Sequence, residues 1–230
     1  MTRGAASVRM RTGSVAALLA GAPPAGQWLS ASEQERLAGI AGARRAGQFV
    51  AGRWLARHLL AAAHGDAAPS WTLDAHPDRP PAVSGHPGIH LSIAHSGDAI
   101  ACTVANVAVG VDVEAVTPRR LGDVLRAVTT PDELAALGDV DDIVAREVWT
   151  LKEAWIKCTG GELFSTMLGH RAEVRPATPD AANACTWRYP DKVVAVVLGG
   201  STATLTADSP LPSRHWHVGT PQRVEAKPST

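Results

Sequence analysis

The order of segments along the chain predicts an α+β fold of two similar lobes, because helices and then strands are followed by helices and strands again. Three observations carry this. A long helical region runs from Ser30 to Ala63, a set of short β-like runs occupies Gly88 to Val116, and a second helix without Gly or Pro precedes several valine-rich runs.

In the first region Ser30 and Glu33 have the S-x-x-E spacing of a capping box, as do Ser32 and Glu35, so a helix starts here. The next helix, "RRAGQFVAGRWLARHLLAAAH", places Phe49, Val50, Trp54, Leu55, His58 and Leu59 at helical spacing, and Arg44, Arg45, Arg53 and Arg57 on its other faces. Trp71 to Pro87 is rich in Pro, Asp, His and Gly and reads as a short strand with ordered loops. "IHLSIAH" and "AIACTVA" flank the turn "SGD" and read as a hairpin, with "VAVGVDVE" as the following strand. Asp123 to Val128 is expected to be helical. "TPDE" then supplies Thr130 as a cap, Pro131 at the first helical position and Glu133 at the third. The helix "DDIVAREVWTLKEAWIKCTG" opens with acids and stops at Gly160 and Gly161. "RAEVRPA", "ACTWRYP", "KVVAVVLGG" and "STATLTA" are expected as strands of a second sheet. The expected organisation is a first lobe over 1–113, a second over 114–210 and a mobile tail over 211–230, the lobes meeting near residues 112 to 118.

Composition narrows the function classes. The 230 residues include 22 basic and 22 acidic side chains, so the basic surplus of a nucleic-acid binder is absent. The three cysteines, Cys102, Cys158 and Cys185, are far apart and odd in number. They fit small buried hydrophobes in a reducing compartment better than a disulfide framework or a CxxC metal site. The N-terminal arginines and short apolar run suggest a signal peptide, but the run is mostly alanine broken by Gly21 and two prolines. No stretch approaches the roughly 18 to 20 apolar residues of a membrane span. A soluble cytoplasmic protein is the expectation.

Four features could carry chemistry. In "VGVDVE" the valines 109, 111 and 113 share one face of a strand, and Gly110, Asp112 and Glu114 the other. The acids either lie in water or form a hard-cation site, with Gly110 leaving space beside them for a ligand. In "WTLKEAWIK", Trp149, Glu153, Ile156 and Lys157 share a helix face. Glu153 and Lys157 are either an i,i+4 surface pair or a charged site among tryptophans. His95 ends the strand in "HLSIAHSGD" and is structural or functional. Arg44, Arg53, Arg57 and Arg79 are solvated charges singly, and together could hold the phosphates of an anionic ligand.

Together, "VGVDVE" and the later "WTLKEAWIK" resemble the G-x-D-x-E and W-x-x-K-E-x-x-x-K signatures of the 4'-phosphopantetheinyl transferases, in their two-lobed, surfactin-synthetase-activating form. "LSIAHSGD", "AGRWLARHLL" and "DRPP" resemble further family segments, so the likeness spans about residues 28 to 163. The resemblance implies a pseudo-twofold fold with the active site where the lobes join. It also implies transfer of the phosphopantetheine arm of coenzyme A to a serine of an apo acyl or peptidyl carrier protein, in polyketide, nonribosomal peptide or fatty acid synthesis. By match, Asp112, Glu114 and Glu153 would hold Mg²⁺, or Mn²⁺ in its place, and Asp112, Glu153 and Lys157 would be catalytic, with Glu153 taking the serine proton. Arg44, Arg53, Arg79, His95 and Lys157 would bind the coenzyme A phosphates. By resemblance, the long bipartite form and high Ala/Gly/Arg content imply the broad-specificity kind used in secondary metabolism, and two lobes that complete one site at their junction imply an active monomer, without nucleic acid or membrane as partner. Departures from the family pattern are Ala94 where Ser is usual, Gly160-Gly161-Glu162-Leu163 in place of Gly-x-Gly-Leu, and Gln48 where a basic residue is expected, leaving Arg44 or Arg45 to substitute. The alternatives are a non-catalytic coenzyme A or carrier-protein binding module on the same fold, and a Mg²⁺-dependent nuclease.

Overall fold

The computed structural model describes residues 7–76, 79–118, 121–200, 204–205 and 214–220. In chain order its elements are β1 (Ser7–Ser14), α1 (Val15–Ala20), α2 (Ala31–Ala38), α3 (Ala43–His64), β2 (Leu73–Asp74), β3 (Ala82–Val83), β4 (His90–Ser96), β5 (Ala99–Ala105), β6 (Val109–Ala115), α4 (Gly122–Val128), α5 (Pro131–Leu137), α6 (Asp142–Thr159), α7 (Leu163–Leu168), β7 (Glu173–Pro176), β8 (Ala184–Arg188), β9 (Lys192–Leu198), β10 (Thr204–Leu205) and β11 (Arg214–Gly219). The fold is a mixture of helix and sheet, as expected.

Local chemistry accounts for the main boundaries. Ser30 caps α2 through a reciprocal capping box with Glu33, the first of the two candidate pairs. Asp141 caps α6 by accepting from the Val144 N–H at 2.7 Å, and Gly160 ends it. Thr130 caps α5 as expected, with Pro131 in the first turn.

The strands form two main sheets. The first has the order β10-β1-β5-β4 and the second β6-β9-β8-β11-β7, while β2 and β3 pair separately. Helix α3 covers the first sheet through Leu55, Leu59, Ile100, Cys102 and Val104. Helix α6 covers the second through Val148, Leu151, Ala195, Val197 and Trp216. Between the sheets lies a third core, in which Val8, Met10, Ala94 and Ala101 meet Val109, Val111, Val113, Trp187, Val194 and Val196. The layers therefore run helix, sheet, sheet, helix. Strand β9 is apolar on both faces because α6 lies over one and the first sheet over the other, so "KVVAVVL" shows no polar alternation.

Three expectations are corrected. The N-terminal segment, read only for targeting signals, forms β1, paired antiparallel to β5 and parallel to β10. Thr204–Leu205, within "STATLTA", joins that first sheet and not the second. Arg214–Gly219, inside the expected tail, is a strand between β8 and β7; Trp216 at its centre is fully buried, and that burial holds it in the sheet. The rest of the expected tail, 211–213 and 221–230, lies outside the described residues apart from Thr220. Strand β6 runs across the boundary expected between residues 113 and 114. No helix among the described residues is long and apolar enough to cross a membrane.

Candidate metal and phosphate site

The site forms where α6 crosses β6, and Gly110 permits the crossing. A Cβ at Gly110 would lie 1.9 Å from the Ala154 carbonyl oxygen and 2.7 Å from the Cys158 nitrogen. The glycine therefore faces helix backbone; it does not open space for a ligand, as the sequence had suggested. What its small size provides is close approach of strand to helix. With the two backbones in contact, Asp112 and Glu114, farther along the same strand face, come under Glu153 and Lys157.

Asp112, Glu114 and Glu153 each offer a carboxylate oxygen within 4.8 Å of the others. The Lys157 ammonium donates to Asp112 Oδ1 at 2.6 Å, so its partner is the strand acid and not Glu153 one turn away on the same helix. Asp112 is buried, and its second oxygen, Oδ2, has no hydrogen-bond partner among the described residues. Glu114 accepts from the Ser96 hydroxyl at 3.2 Å.

The electrostatics follow from crowding three acids in a poorly hydrated place. Burial raises the Asp112 carboxyl above its ordinary range, against the pull of Lys157. Burial and then the Asp112 charge raise Glu114. Loss of solvent, followed by the charge of Asp112, pushes Glu153 up to about 7, while Lys157 and a hydrogen bond from the Trp149 side chain pull it down. Three carboxylates with one ammonium and an unpartnered buried oxygen make a donor set suited to a hard divalent cation, which prefers oxygen ligands. The residues present fit Mg²⁺ on that ground.

The remaining expected residues divide. His95 closes β4 beside the cluster; loss of solvent and then the nearby Lys157 ammonium lower its pKa, and Arg45 acts in the same direction. Arg44 lines a separate cavity of about 390 Å³ with Gln48, Gly97 and Asp98, and the Gln48 side chain donates to the Gly97 carbonyl at 2.8 Å. Arg53 is not brought to the site. It is 8% exposed, lies against the Glu33 carboxylate at 3.6 Å and stacks over Phe49. The fully buried Arg57, bonded to Glu33 at 2.5 Å, completes that structural network. Both face inward because α3 buries this side against α2 and Trp28. Arg79 is exposed in the loop before β3.

Sequence reasoning assigned no role to Ser96, Arg146 or Lys152. Ser96, Glu114, Thr117, Leu121, Val124, Arg146, Trp149 and Glu153 border a cavity of about 280 Å³ next to the carboxylates. The Arg146 guanidinium holds the chain beyond β6 by donating to the Ala115 and Thr117 carbonyls at 3.0 and 3.2 Å. Lys152, inside the helix signature, is buried and donates to Glu133 and the Ala172 carbonyl, tying α6 to α5 and the start of β7. Ser96 and Lys152 stood within quoted motifs, but their partners are distant in sequence. Nothing local marked Arg146.

Comparison with known proteins finds the same family as the motifs. Residues 108–197, which contain β6 and α6, match the family model of the 4'-phosphopantetheinyl transferase superfamily. The chain is also similar to a 4'-phosphopantetheinyl transferase of Bacillus subtilis, 29% identical over 115 residues, covering 46% of this chain and 51% of the relative. The 4'-phosphopantetheinyl transferase psf-1 of Bacillus pumilus is 27% identical over 114 residues, covering 46% and 49%. The chain thus spans about half the length of these curated relatives.

Proposed function

We propose that this protein transfers the 4'-phosphopantetheine group of coenzyme A to a serine of an apo acyl or peptidyl carrier protein. The observation that carries the reading is the carboxylate trio of Asp112, Glu114 and Glu153 within 4.8 Å, with Lys157 bonded to Asp112. It lies in the segment that matches the superfamily.

Asp112, Glu114 and Glu153 would hold Mg²⁺, or Mn²⁺ in its place; the bound cation supplies charge neutralisation to the pyrophosphate. Without the cation, burial and the Asp112 charge raise the Glu153 pKa to about 7; a bound cation would lower it and keep the carboxylate ionised, ready to accept the serine proton. The serine oxygen forms a bond to the β-phosphorus as the bond from that phosphorus to the bridging oxygen breaks, and adenosine 3',5'-bisphosphate leaves with the electron pair. Lys157 sits where a cation can meet the charge building on phosphate oxygens. His95, next to the Lys157 ammonium, would meet one of the remaining coenzyme A phosphates, with Arg44 or Arg45 and the exposed Arg79 as further contributors. The two sheet-and-helix units would be the two similar lobes, completing one site in a monomer. The three free cysteines suit a reducing, cytoplasmic setting.

The test is a mass-shift assay with Mg²⁺, coenzyme A and a panel of apo polyketide, nonribosomal peptide and fatty acid carrier proteins. Addition of one phosphopantetheine mass is expected, with loss of the reaction in EDTA. Binding of coenzyme A and carriers with no transfer to any of them would point to a binding module instead.

A further inference from the structure

The metal-ligand strand β6 lies at one edge of the second sheet, and β4 lies at one edge of the first. They are not joined by a backbone ladder. Two serine hydroxyls on one face of β4 take its place: Ser92 Oγ accepts from the Val111 N–H at 3.0 Å, and Ser96 Oγ accepts from the Ala115 N–H at 3.2 Å. Ser92 and Ser96 are four residues apart, as are Val111 and Ala115, so the two contacts are equivalent in step along both strands.

They differ in one respect. A hydroxyl carries one proton and two lone pairs, so it can accept and donate together. Ser96 uses both functions, accepting from Ala115 and donating to Glu114 Oε2 at 3.2 Å. Among the described residues, no other hydrogen bond to the Glu114 carboxylate is found. Glu114 is half-buried, on a flexible side chain; the Asp112 charge repels it, and the more diffuse attraction of the Arg146 and Lys157 charges fixes no hydrogen-bond geometry. Without a donor on this side, nothing in its own strand would hold the carboxylate toward Asp112 and Glu153.

We propose that Ser96 is a positioning residue for Glu114, through which the first sheet sets the geometry of the cation site on the second. The inference rests on the reading of Asp112, Glu114 and Glu153 as metal ligands. Partners that orient a metal's ligands typically contribute about 10- to 100-fold in metal affinity. Ser92 provides an internal control, because it makes the same contact with β6 and reaches no carboxylate.

The experiment is Mn²⁺ binding to purified full-length protein, followed by the loss of the free-ion electron paramagnetic resonance signal, with and without coenzyme A. Ser96→Ala is expected to weaken binding about tenfold or more. Ser96→Thr, which keeps the hydroxyl on a strand-compatible side chain, restores most of it. Ser92→Ala leaves it unchanged although it lowers the melting temperature comparably. Unchanged affinity in Ser96→Ala overturns the proposal, as does an equal loss in Ser92→Ala, which would make both serines merely structural. Failure of the wild-type protein to bind Mn²⁺ would instead overturn the metal reading on which the inference stands.

Discussion

Glu153 has two tasks in the proposed reaction, ligand and base, and its surroundings make both depend on pH. Its folded-state pKa of about 7 stands above the ordinary 4.5. The folded protein therefore holds this proton more tightly than the unfolded chain. The resulting stabilisation is complete below the ordinary value and is lost as pH rises through about 7. Asp112 and Glu114 are raised as well and act with the same sign. Without divalent cation, the melting temperature of the wild type is expected to fall between pH 5 and pH 8. Glu153→Gln, which cannot ionise at this position, should show a shallower fall while abolishing carrier modification. Mg²⁺ should raise the melting temperature more at pH 8 than at pH 5. A thermal-shift series across pH, with and without EDTA, checks each of these.

At the scale of elements, α6 is held against its surroundings by contacts the chemistry does not use. The crossing at Gly110 leaves no room for a side chain, since Gly110→Ala would put a methyl group 1.9 Å from the Ala154 carbonyl. Overpacking of this kind costs about 1–3 kcal/mol or more, because β6 or α6 must shift. The variant is expected to melt several degrees lower and to lose transfer activity beyond what its stability explains, through separation of Asp112 from Lys157. Activity measured well below the melting temperature distinguishes the two effects. The buried Glu133–Lys152 pair, at 2.9 Å, ties α5 to α6, and Glu133 also accepts from the Val174 N–H. Lys152→Met would leave that carboxylate buried without its cation, a loss of about 3–5 kcal/mol. Combining it with Glu133→Gln should recover most of the loss, because the amide needs no counter-charge. Denaturant unfolding of the single and double variants tests this.

At the scale of the molecule, the two sheets share one core. Val8, Met10 and Ala94 of the first pack against Val111, Val113, Val194 and Val196 of the second. A break between residues 113 and 114 would cut β6 and expose both faces of that core. Fragments 1–113 and 114–230 are therefore expected not to fold separately, as circular dichroism and amide hydrogen exchange of each would show. A folded fragment with native-like protection would contradict this.

The sequence by itself determined a good deal: the α+β class, the cap of α5, the acidic start and glycine stop of α6, and the carboxylates and lysine of the site. These were legible because alternation in "VGVDVE" and helical spacing in "WTLKEAWIK" are local properties. The tertiary structure decided which charges meet. Glu153 and Lys157 are neighbours on one helix, yet the lysine bonds to Asp112; Arg53 has the same charge as Arg45, yet turns inward to Glu33. Gly110 could be read as open space until α6 was seen against it, and β11 could be read as tail until Trp216 was seen in the core. The physical reason is common to all four. Spacing along a strand or helix specifies a face, but what that face meets depends on contacts between residues far apart in the chain, and those form only when the layers pack.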